Sequence, residues 1–503
     1  MYLYKSTLIY TTAALAGFSG IAPNQTIQAK SKNEKPNLVF IMTDQHSYLT
    51  LGCYRKFLPD ELAYRWGKDA MPSTKNLDRL ADEGAIYTSY YSSAPVSSPS
   101  RSSIFTGNYP AKTGVPLNGC GLRHDMTSIA QVLNSQGYVS DYVGKWHCAD
   151  NEPIPGWGVT PSFGFENKYM FNTGHQKYFV VNPKDTTVEL LTNNPRKVPG
   201  KMVVHSTKFL TDRAMEFIED NHDRPFCLVL SIPDPHTPEI AVPPYDKMYE
   251  NIKCHPPLTM KQKAEDRPEW SKFELDNELE SNFDSSMNSE DAFSKERMVN
   301  YFGMVTDVDD NVGRILALLK KYNIEDNTIV VYTSDHGELN FEHHRINKGL
   351  PYETSSRVPC IIRYPKVISK RKVISTPTVN VDLMPTLIDL MGLNLTTTMP
   401  VDGVSDAKDL VSKKKKVTSD RTIYTTSTFN WVMAVDSKCK LVLSTNDEPW
   451  LYDLKKDPLE MVNEFHNPEY AEEAAKLMKE LKRQMTKYQE PRLNDVLNPL
   501  RFE

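Results

Sequence analysis

Five short, mostly apolar runs are the feature that most constrains how this chain can fold. The first, Asn37–Thr43, reads NLVFIMT and shows no alternation of polar and apolar residues. Strands of this kind are buried on both faces, as in a parallel sheet with helices on each side. Similar runs occur at Tyr138–Val143, Cys227–Ile232, Thr328–Thr333 and Cys360–Tyr364. We therefore predict a large, mostly parallel β-sheet.

Helical patterns separate these runs. Asn76–Glu83 follows cap-type residues and ends before Gly84, and Ser128–Ser135 ends before Gly137. The longest pattern, Glu296–Tyr322, repeats its apolar residues at intervals of three and four. Alternation of strands and helices on this scale predicts an α/β protein whose sheet is flanked by helices on both faces.

The end of the chain has a different pattern. Short segments alternate like antiparallel strands at Arg421–Thr426, Trp431–Val435 and Lys440–Ser444, and an amphipathic helix follows at about Ala471–Tyr488. A chain of 503 residues is also longer than one typical core. We predict a large α/β domain over residues 30–410 and a small antiparallel sheet with a helix over 411–503. The lysine-rich run Ser412–Lys416 between them is predicted to be a solvated linker.

The first residues read as an export signal. Lys5 precedes an apolar run, Leu8–Ala22, that is broken by small residues. We expect residues 1–29 to be a signal peptide and the mature protein to be periplasmic or secreted. The run is too short and too rich in small residues for a membrane anchor, and no later stretch is apolar enough, so no stable membrane span is predicted.

Composition narrows the class of partner. Hydrophobic residues make up 39% and charged residues 24%, as in soluble globular proteins. The net charge of −5 argues against a nucleic-acid partner, which would call for a basic surface. An anionic substrate remains possible, because a few cations that converge in one pocket can hold an anion on a mildly acidic protein.

Polar clusters follow four of the apolar runs. They are Asp44 with Gln45, Lys145 with His147, Asp234 with His236, and Asp335 with His336. A single Asp after a strand is usually a turn or cap residue. In an open parallel sheet, however, the carboxyl ends of the strands face one crevice. We therefore expect the four clusters to converge there, beneath insertions at 150–205 and 240–295.

One segment, VSSPSRSSIFTG at residues 96–107, resembles the signature of type I sulfatases. That signature is Cys or Ser, any residue, Pro, Ser or Ala, and Arg, followed by a spacer and Thr-Gly. Further matches are Thr43-Asp44-Gln45, Gly144-Lys145-Trp146-His147, Pro235-His236, Ser334-Asp335-His336-Gly337, Lys348, Tyr352-Glu353 and Arg357-Val358-Pro359. The resemblance spans roughly residues 36–460 and implies an alkaline phosphatase-like fold and hydrolysis of a sulfate ester.

The resemblance implies that Ser97 is converted to formylglycine (3-oxoalanine). A serine here is similar to the bacterial serine-type sulfatases, whose partner is a radical maturation enzyme. The hydrated aldehyde is a gem-diol, which offers one oxygen to attack sulfur and a second to expel sulfate, so that covalent catalysis is divided into two easier steps.

The family's metal site maps onto an oxygen-rich set. The implied ligands are Asp44, the side-chain oxygen of Gln45, Asp335, an oxygen of modified residue 97, and His336. Hard oxygen ligands favour one Ca²⁺ per chain. Family members often have Asp in place of Gln45 and have Asn or His in place of His336. A His ligand is unusual for Ca²⁺, which leaves Mg²⁺ or Mn²⁺ open.

The remaining roles are also implied by the resemblance. Arg101 would hold the gem-diol, and Lys145 and Lys348 would clamp the sulfate oxygens. His147 would take the proton that releases sulfate, and His236 would protonate the leaving oxygen as a general acid. Asp335 is also a candidate base towards the attacking hydroxyl.

The sequence leaves three hypotheses for the function of this protein. The first is a sulfatase acting on a sulfated carbohydrate, which suits an exported enzyme with large insertions. The second is a formylglycine-dependent phosphodiester or phosphonate hydrolase on the same fold; a two-metal phosphatase would need a second ligand set. The third is a non-catalytic glycan-binding relative, which would have lost site residues that are all present here. Side chains that could line sugar subsites or pack in a core are Trp157, Tyr169, His175 and Trp431.

Overall fold

The computed structural model describes residues 35–150, 157–272 and 293–497, apart from 176, 183, 185–186, 193–198 and 429. The predicted signal peptide, residues 1–29, lies outside the described residues and stays a prediction. No helix in the described part of the chain is long and apolar enough to cross a membrane.

The strands and helices are numbered in chain order. The strands are β1 (Asn37–Thr43), β2 (Ala85–Tyr87), β3 (Tyr90–Tyr91), β4 (Val139–Lys145), β5 (Met170–Phe171), β6 (Tyr178–Val181), β7 (Val188–Thr192), β8 (Met202–His205), β9 (Phe226–Ile232), β10 (Thr328–Ser334), β11 (Cys360–Arg363), β12 (Lys372–Ile374), β13 (Thr378–Val379), β14 (Lys416–Val417), β15 (Ile423–Thr426), β16 (Trp431–Val435), β17 (Cys439–Ser444) and β18 (Trp450–Asp453). The α-helices are α1 (Gly52–Arg55), α2 (Asp60–Ala63), α3 (Lys75–Glu83), α4 (Ser97–Thr106), α5 (Pro110–Thr113), α6 (Ile129–Asn134), α7 (Ser206–Asn221), α8 (Tyr245–Met248), α9 (Lys295–Lys321), α10 (Glu353–Ser356), α11 (Leu383–Leu390), α12 (Ala407–Val411), α13 (Ala471–Lys487) and α14 (Leu493–Val496). Short 3-10 turns lie at Tyr48–Thr50, Leu258–Lys261, Ala264–Asp266, Glu269–Ser271, Glu325–Asn327, Glu342–His344, Asn380–Asp382 and Pro468–Tyr470.

Nine strands form the large sheet, in the order β14-β12-β2-β11-β10-β1-β9-β4-β5. Among the described strands of this sheet, β11 alone runs antiparallel to its neighbours. Thr43 at the end of β1 is in register with Ser334 of β10 and with Ile232 of β9. The mostly parallel sheet is confirmed, and its central strands all end at one level.

Alternate residues of β1 enter two different cores. Val39 and Ile41 lie in the core that contains Phe302 of α9, whereas Phe40 lies in the core that contains Phe105 of α4. Burying each such side chain stabilises the fold by about 1.5–3 kcal/mol. Helices therefore cover both faces, which explains why the apolar runs do not alternate.

A small antiparallel sheet, β15-β16-β17-β18, follows the large one. Leu477 and Leu481 of α13 share a core with Trp431 of β16. The strand β18 was absent from the sequence prediction. The predicted linker Ser412–Lys416 is solvated at its lysines, but Lys416 also begins the edge strand β14 of the large sheet. The domain boundary near residue 410 stays a prediction.

The insertion at 150–205 is built on strands in its described part. β5 joins the edge of the large sheet, and β6, β7 and β8 form a separate antiparallel sheet. Tyr169 packs edge-on against Trp157 and against Phe209, and Trp157 packs on Phe209 with the rings tilted at 54°. These two aromatic residues therefore pack beside the core.

The buried carboxyl group of Asp141, in β4, should make the free energy of unfolding depend on pH. Burial raises its pKa to about 7, although Tyr142 N–H donates to Oδ1. An unfolded Asp titrates near 4, so its stability contribution is complete below about pH 4 and is lost as the pH rises through 7. We expect Asp141→Asn to raise the free energy of unfolding at pH 8 by on the order of 2–4 kcal/mol, with a gain that shrinks towards pH 5. Denaturant titrations of the variant and of the exposed control Asp223→Asn test this; an equal gain at both pH values would contradict it.

Candidate active site

Ser97 is the first residue of α4 and is 1% exposed. Every residue of this helix is buried, although most of them are polar. Some of these polar groups form hydrogen bonds within the helix. Ser102 and Ser103 donate to the Pro99 carbonyl, and Thr106 donates to the Ser102 carbonyl. The helix dipole favours negative charge beside Ser97, at the start of the helix.

Arg101 lies one turn after Ser97 and connects the strand ends. Its guanidinium donates to Asp335 Oδ2 at 2.8 Å and to Asp44 Oδ2 at 3.2 Å. It also donates to the Lys145 carbonyl and to Ser231 Oγ. Burial alone would lower the pKa of Arg101, but the two carboxylates raise it above its ordinary value. A permanent charge therefore holds the ends of β1, β4, β9 and β10 around α4.

Three buried side chains have the arrangement of a metal site. Ligand atoms of Asp44, Asp335 and His336 all lie within 4.8 Å of one another. Asp44 Oδ1 is buried and has no hydrogen-bond partner among the described residues. His336 Nδ1 is 3.0 Å from the Gly337 carbonyl, which can only accept, so Nδ1 carries the proton. The lone pair of Nε2 therefore faces Ser97 Oγ at 3.1 Å, and the set fits a cation.

Gln45 stands beside this set in a left-handed backbone conformation, with φ 63°. Its backbone N–H donates to Asp335 Oδ1 at 3.2 Å. The side-chain nitrogen donates to Glu338 and Asn347, which leaves the side-chain oxygen to accept from Lys348 Nζ at 2.8 Å. The amide orientation is thereby fixed, and the oxygen points to the side of the crevice that carries Lys348.

The ammonium groups of Lys145 and Lys348 both reach the site, where they contact the stacked rings of His175 and His236. Lys145 ends β4, is fully buried, and donates to Asp44 Oδ2 at 2.5 Å. Burial lowers its pKa to about 8. Trp146 follows it and stacks on Phe105 of α4, with 5.4 Å between ring centroids. The strand end that carries Lys145 and His147 is therefore packed directly on the helix of Ser97.

The two predicted proton-transfer histidines have different surroundings. His236 Nδ1 donates to the Thr237 carbonyl at 2.7 Å, so Nε2 faces Lys348 Nζ at 2.8 Å. His147 Nδ1 is buried without a hydrogen-bond partner in the described part of the chain. Burial, followed by Lys145 for His147 and by His175 for His236, holds the pKa of both rings well below the ordinary value. Each ring is therefore neutral at rest, and a proton that either ring passes on must first reach it from a neighbouring group.

Four further residues belong to the site. His175 stacks on His236, with 3.5 Å between centroids and 6° between planes, and its Nε2 lies 2.5 Å from Lys145 Nζ. The sequence suggested His175 only as a sugar-contacting residue. Lys177, Glu338 and Asn347 were not predicted at all. Glu338 and Asn347 flank matched motifs, which was a usable signal. Lys177 lies in the insertion, away from the carboxyl ends of the predicted sheet strands.

A second geometric group, Asp44, His175 and His236, shares Asp44 with the first. Its histidine nitrogens contact Lys145 Nζ and Lys348 Nζ. Ammonium groups therefore stand where a second metal would bind, which distinguishes this crevice from a two-metal phosphatase site. A buried hydroxyl, a candidate cation site and converging Arg, Lys and His side chains are the groups expected in a hydrolase site for an anionic ester.

Comparison with known proteins specifies the family. The sequence model of the Sulfatase family matches residues 36–393, and that of the N-sulphoglucosamine sulphohydrolase C-terminal region matches residues 341–489. The chain belongs to the sulfatase family, within the alkaline phosphatase-like fold, and is a sulfuric ester hydrolase. The sequence-based family and fold predictions are thereby confirmed.

Individual relatives cover nearly the whole chain. The N-acetylglucosamine-6-O-sulfatase of Bacteroides thetaiotaomicron is 25% identical over 96% of this chain and 91% of its own. A solved structure in complex with D-glucosamine-2-N,6-O-disulfate has a TM-score of 0.70 and 25% identity, and covers 92% of this chain and 99% of that one. The phosphonate monoester hydrolase of Agrobacterium radiobacter, at 22% identity and TM-score 0.71 over 90% and 96% of the two chains, shares the fold.

Proposed function

We propose that this protein removes a sulfate ester from a sulfated carbohydrate, using Ser97 after its conversion to formylglycine and one bound divalent cation. The observation that carries the proposal is the convergence of Ser97, the Asp44–Asp335–His336 set and the two lysines in one crevice. The relatives named for N-acetylglucosamine 6-O-sulfate and for a glucosamine disulfate support a carbohydrate substrate.

Asp44, Asp335 and His336 would hold the cation, together with the side-chain oxygen of Gln45. The unpartnered Asp44 Oδ1 and the inward-facing Nε2 of His336 fit this role. Oxygen ligands favour Ca²⁺, and the nitrogen ligand leaves Mg²⁺ or Mn²⁺ as alternatives. When bound, the cation would orient residue 97 and polarise a sulfate oxygen.

Formylglycine at residue 97, installed by a maturation enzyme, would supply one oxygen for attack on sulfur and a second for release of sulfate. Arg101, one turn away, would hold that group through its position between Asp44 and Asp335. Lys145 and Lys348 would bind the sulfate oxygens. His236 Nε2 would take a proton from the Lys348 ammonium that it faces and pass it to the departing sugar oxygen. His147, whose Nδ1 has no hydrogen-bond partner among the described residues, would accept a proton when sulfate leaves.

The site of action is proposed to lie outside the cytoplasm, in the periplasm or secreted. The proposal rests on the signal-like first 29 residues, and N-terminal sequencing of exported protein should find a start near Lys30.

A substrate panel tests the proposed function. Purified protein from a host with the maturation enzyme is assayed on sulfated mono- and disaccharides, an aryl sulfate, an aryl phosphate and a phosphonate monoester. We expect the highest kcat/KM on one sulfated sugar. Preference for the phosphonate or phosphate would instead support the alternative hydrolase, whose fold is shared.

His236→Ala tests the mechanism within that function. A sugar alkoxide is a poor leaving group and needs a proton, whereas a nitrophenolate needs little help. General-acid catalysis contributes about 10²–10⁴ in rate, so we expect a loss of that size on a sugar sulfate and a much smaller loss on the aryl sulfate. His147→Ala acts after the leaving group has departed and should affect both substrates alike; the exposed His222→Ala is the surface control. Equal losses for His236→Ala on both substrates would refute the general-acid role.

A further inference from the structure

Lys177 is a fully buried lysine that touches the loop of His236. Its ammonium donates to Asp234 Oδ1 at 2.5 Å and to the backbone carbonyl of His236 at 2.9 Å. Lysine is almost never fully buried unless it is paired. The two bonds therefore fix the backbone of His236 to the carboxylate that precedes it by two residues.

Asp234 is itself held by further groups. Burial alone would raise its pKa, but Lys177 and His205 lower it, so the carboxylate stays charged. Thr207 Oγ1 of α7 donates to its Oδ2 at 2.6 Å, and His205 Nε2 lies 3.5 Å from the same oxygen. His205 Nδ1 in turn lies 3.0 Å from Asp307 of α9. The Lys177–Asp234 pair thus ties the His236 loop to two long helices.

The chain segment that carries Lys177 also restrains the ring of His236. His175, two residues before Lys177, covers one face of the ring in parallel stacking at 3.5 Å. Thr237 accepts from Nδ1 at the ring edge. The ring plane and the backbone of His236 are therefore both fixed, and Nε2 is the ring nitrogen left to face the crevice.

We propose that Lys177 is a positioning residue for proton donation by His236, an inference that rests on the proposed sulfatase function. Proton transfer needs the donor atom within about 2.6–3.2 Å of the leaving oxygen. An error of about 1 Å in position costs on the order of 10²-fold in rate. Lys177 acts through the His236 carbonyl and does not touch the substrate. Its loss should therefore slow substrates with poor leaving groups, which need a proton, more than substrates with good leaving groups.

The test uses the matured holoenzyme and the double variant Lys177→Met/Asp234→Asn. This change removes the ion pair without leaving an unpaired carboxylate in the interior, which would be strongly destabilising. Lys177→Gln is the second variant, because its amide keeps a donor for the His236 carbonyl while Asp234 keeps Thr207 and His205 as neighbours. Lys208→Met is the matched control, since that lysine lies on the surface of α7 with 61% of its side chain exposed.

We expect the double variant to lower kcat/KM for a sugar sulfate by about 10–100-fold, as is typical for groups that support a catalytic side chain. Aryl sulfates with progressively better leaving groups should lose progressively less, and Lys177→Gln should show a smaller loss of the same form. Nitrogen-15 spectra give a readout that does not depend on turnover: the His236 Nδ1 proton should exchange faster with solvent in the double variant.

Equal losses on all leaving groups in a folded variant, or no loss, would overturn the proposal. Failure of both variants to fold while Lys208→Met folds would also overturn it, because the pair would then maintain the fold and not the acid. A wild-type enzyme inactive on every sulfate ester would instead reject the proposed function. This inference alone would be rejected if the wild type is active and His236→Ala shows a leaving-group effect, but the Lys177 variants show none.

Discussion

Ser97→Ala is expected to abolish hydrolysis of sulfate esters, with a loss of about four to six orders of magnitude, the range seen when a nucleophile is removed. Ser97 is the hydroxyl-bearing residue that faces His336 Nε2 at the start of α4. Without its oxygen, residue 97 cannot be matured, and the clamping lysines would hold sulfate with no group to attack it. Steady-state rates on an aryl sulfate measure the loss.

Ser98→Ala is the matched control for this change. Ser98 is the next residue of the same helix and is equally buried, and its Oγ has no hydrogen-bond partner among the described residues. We expect its rate to stay within about threefold of wild type, as for a substitution away from catalytic contacts. Activity above a tenth of wild type in Ser97→Ala would exclude residue 97 as the reacting group.

Asp335→Asn is expected to lose the cation and most activity together. Asp335 supplies one oxygen to the metal set and the other to Arg101 at 2.8 Å. The amide keeps the volume of the side chain but removes the charge that both partners need. Loss of metal polarisation is worth several kcal/mol, so we expect a rate decrease of at least about 10³-fold. Asp335→Ala would also leave Arg101 short of a partner and should destabilise the fold by about 3–5 kcal/mol.

Elemental analysis alongside the assay separates metal loss from unfolding. Wild type is expected to hold one divalent cation per chain, to lose activity on chelation and to regain it with Ca²⁺. The exposed Asp389→Asn should match wild type in metal content and rate. Two transition-metal ions per wild-type chain would contradict the single-cation site and favour a phosphatase.

The parts of this molecule that sequence predicts well are those set by local pattern. The runs at β1, β9 and β10 are apolar because helices cover both faces of the sheet. The carboxyl ends of these parallel strands lie at the same edge of the sheet. Convergence of Asp44, Lys145, His236 and Asp335 follows from that geometry. The sequence therefore predicts most of the crevice without any knowledge of the loops.

The parts that sequence missed depend on contacts made by the insertion. His175 and Lys177 come from a segment in which we predicted no strand or helix. They contact His236, which is about sixty residues away in sequence. The hydrophobic pattern around a residue does not predict a contact of this kind. Trp157 resembles a sugar-binding residue by type, yet it packs beside the core. Side-chain chemistry alone does not reveal which of these environments a loop residue enters.

Mass spectrometry of residue 97 tests the central claim most directly. Trypsin should release a single peptide, Leu80–Arg101, because no Lys or Arg lies between Arg79 and Arg101. In protein made with its maturation enzyme, this peptide is expected to be lighter than the encoded sequence by two hydrogen atoms, and sulfatase activity should rise in proportion to the modified fraction. Full activity in protein whose peptide carries only unmodified Ser97 would contradict the account.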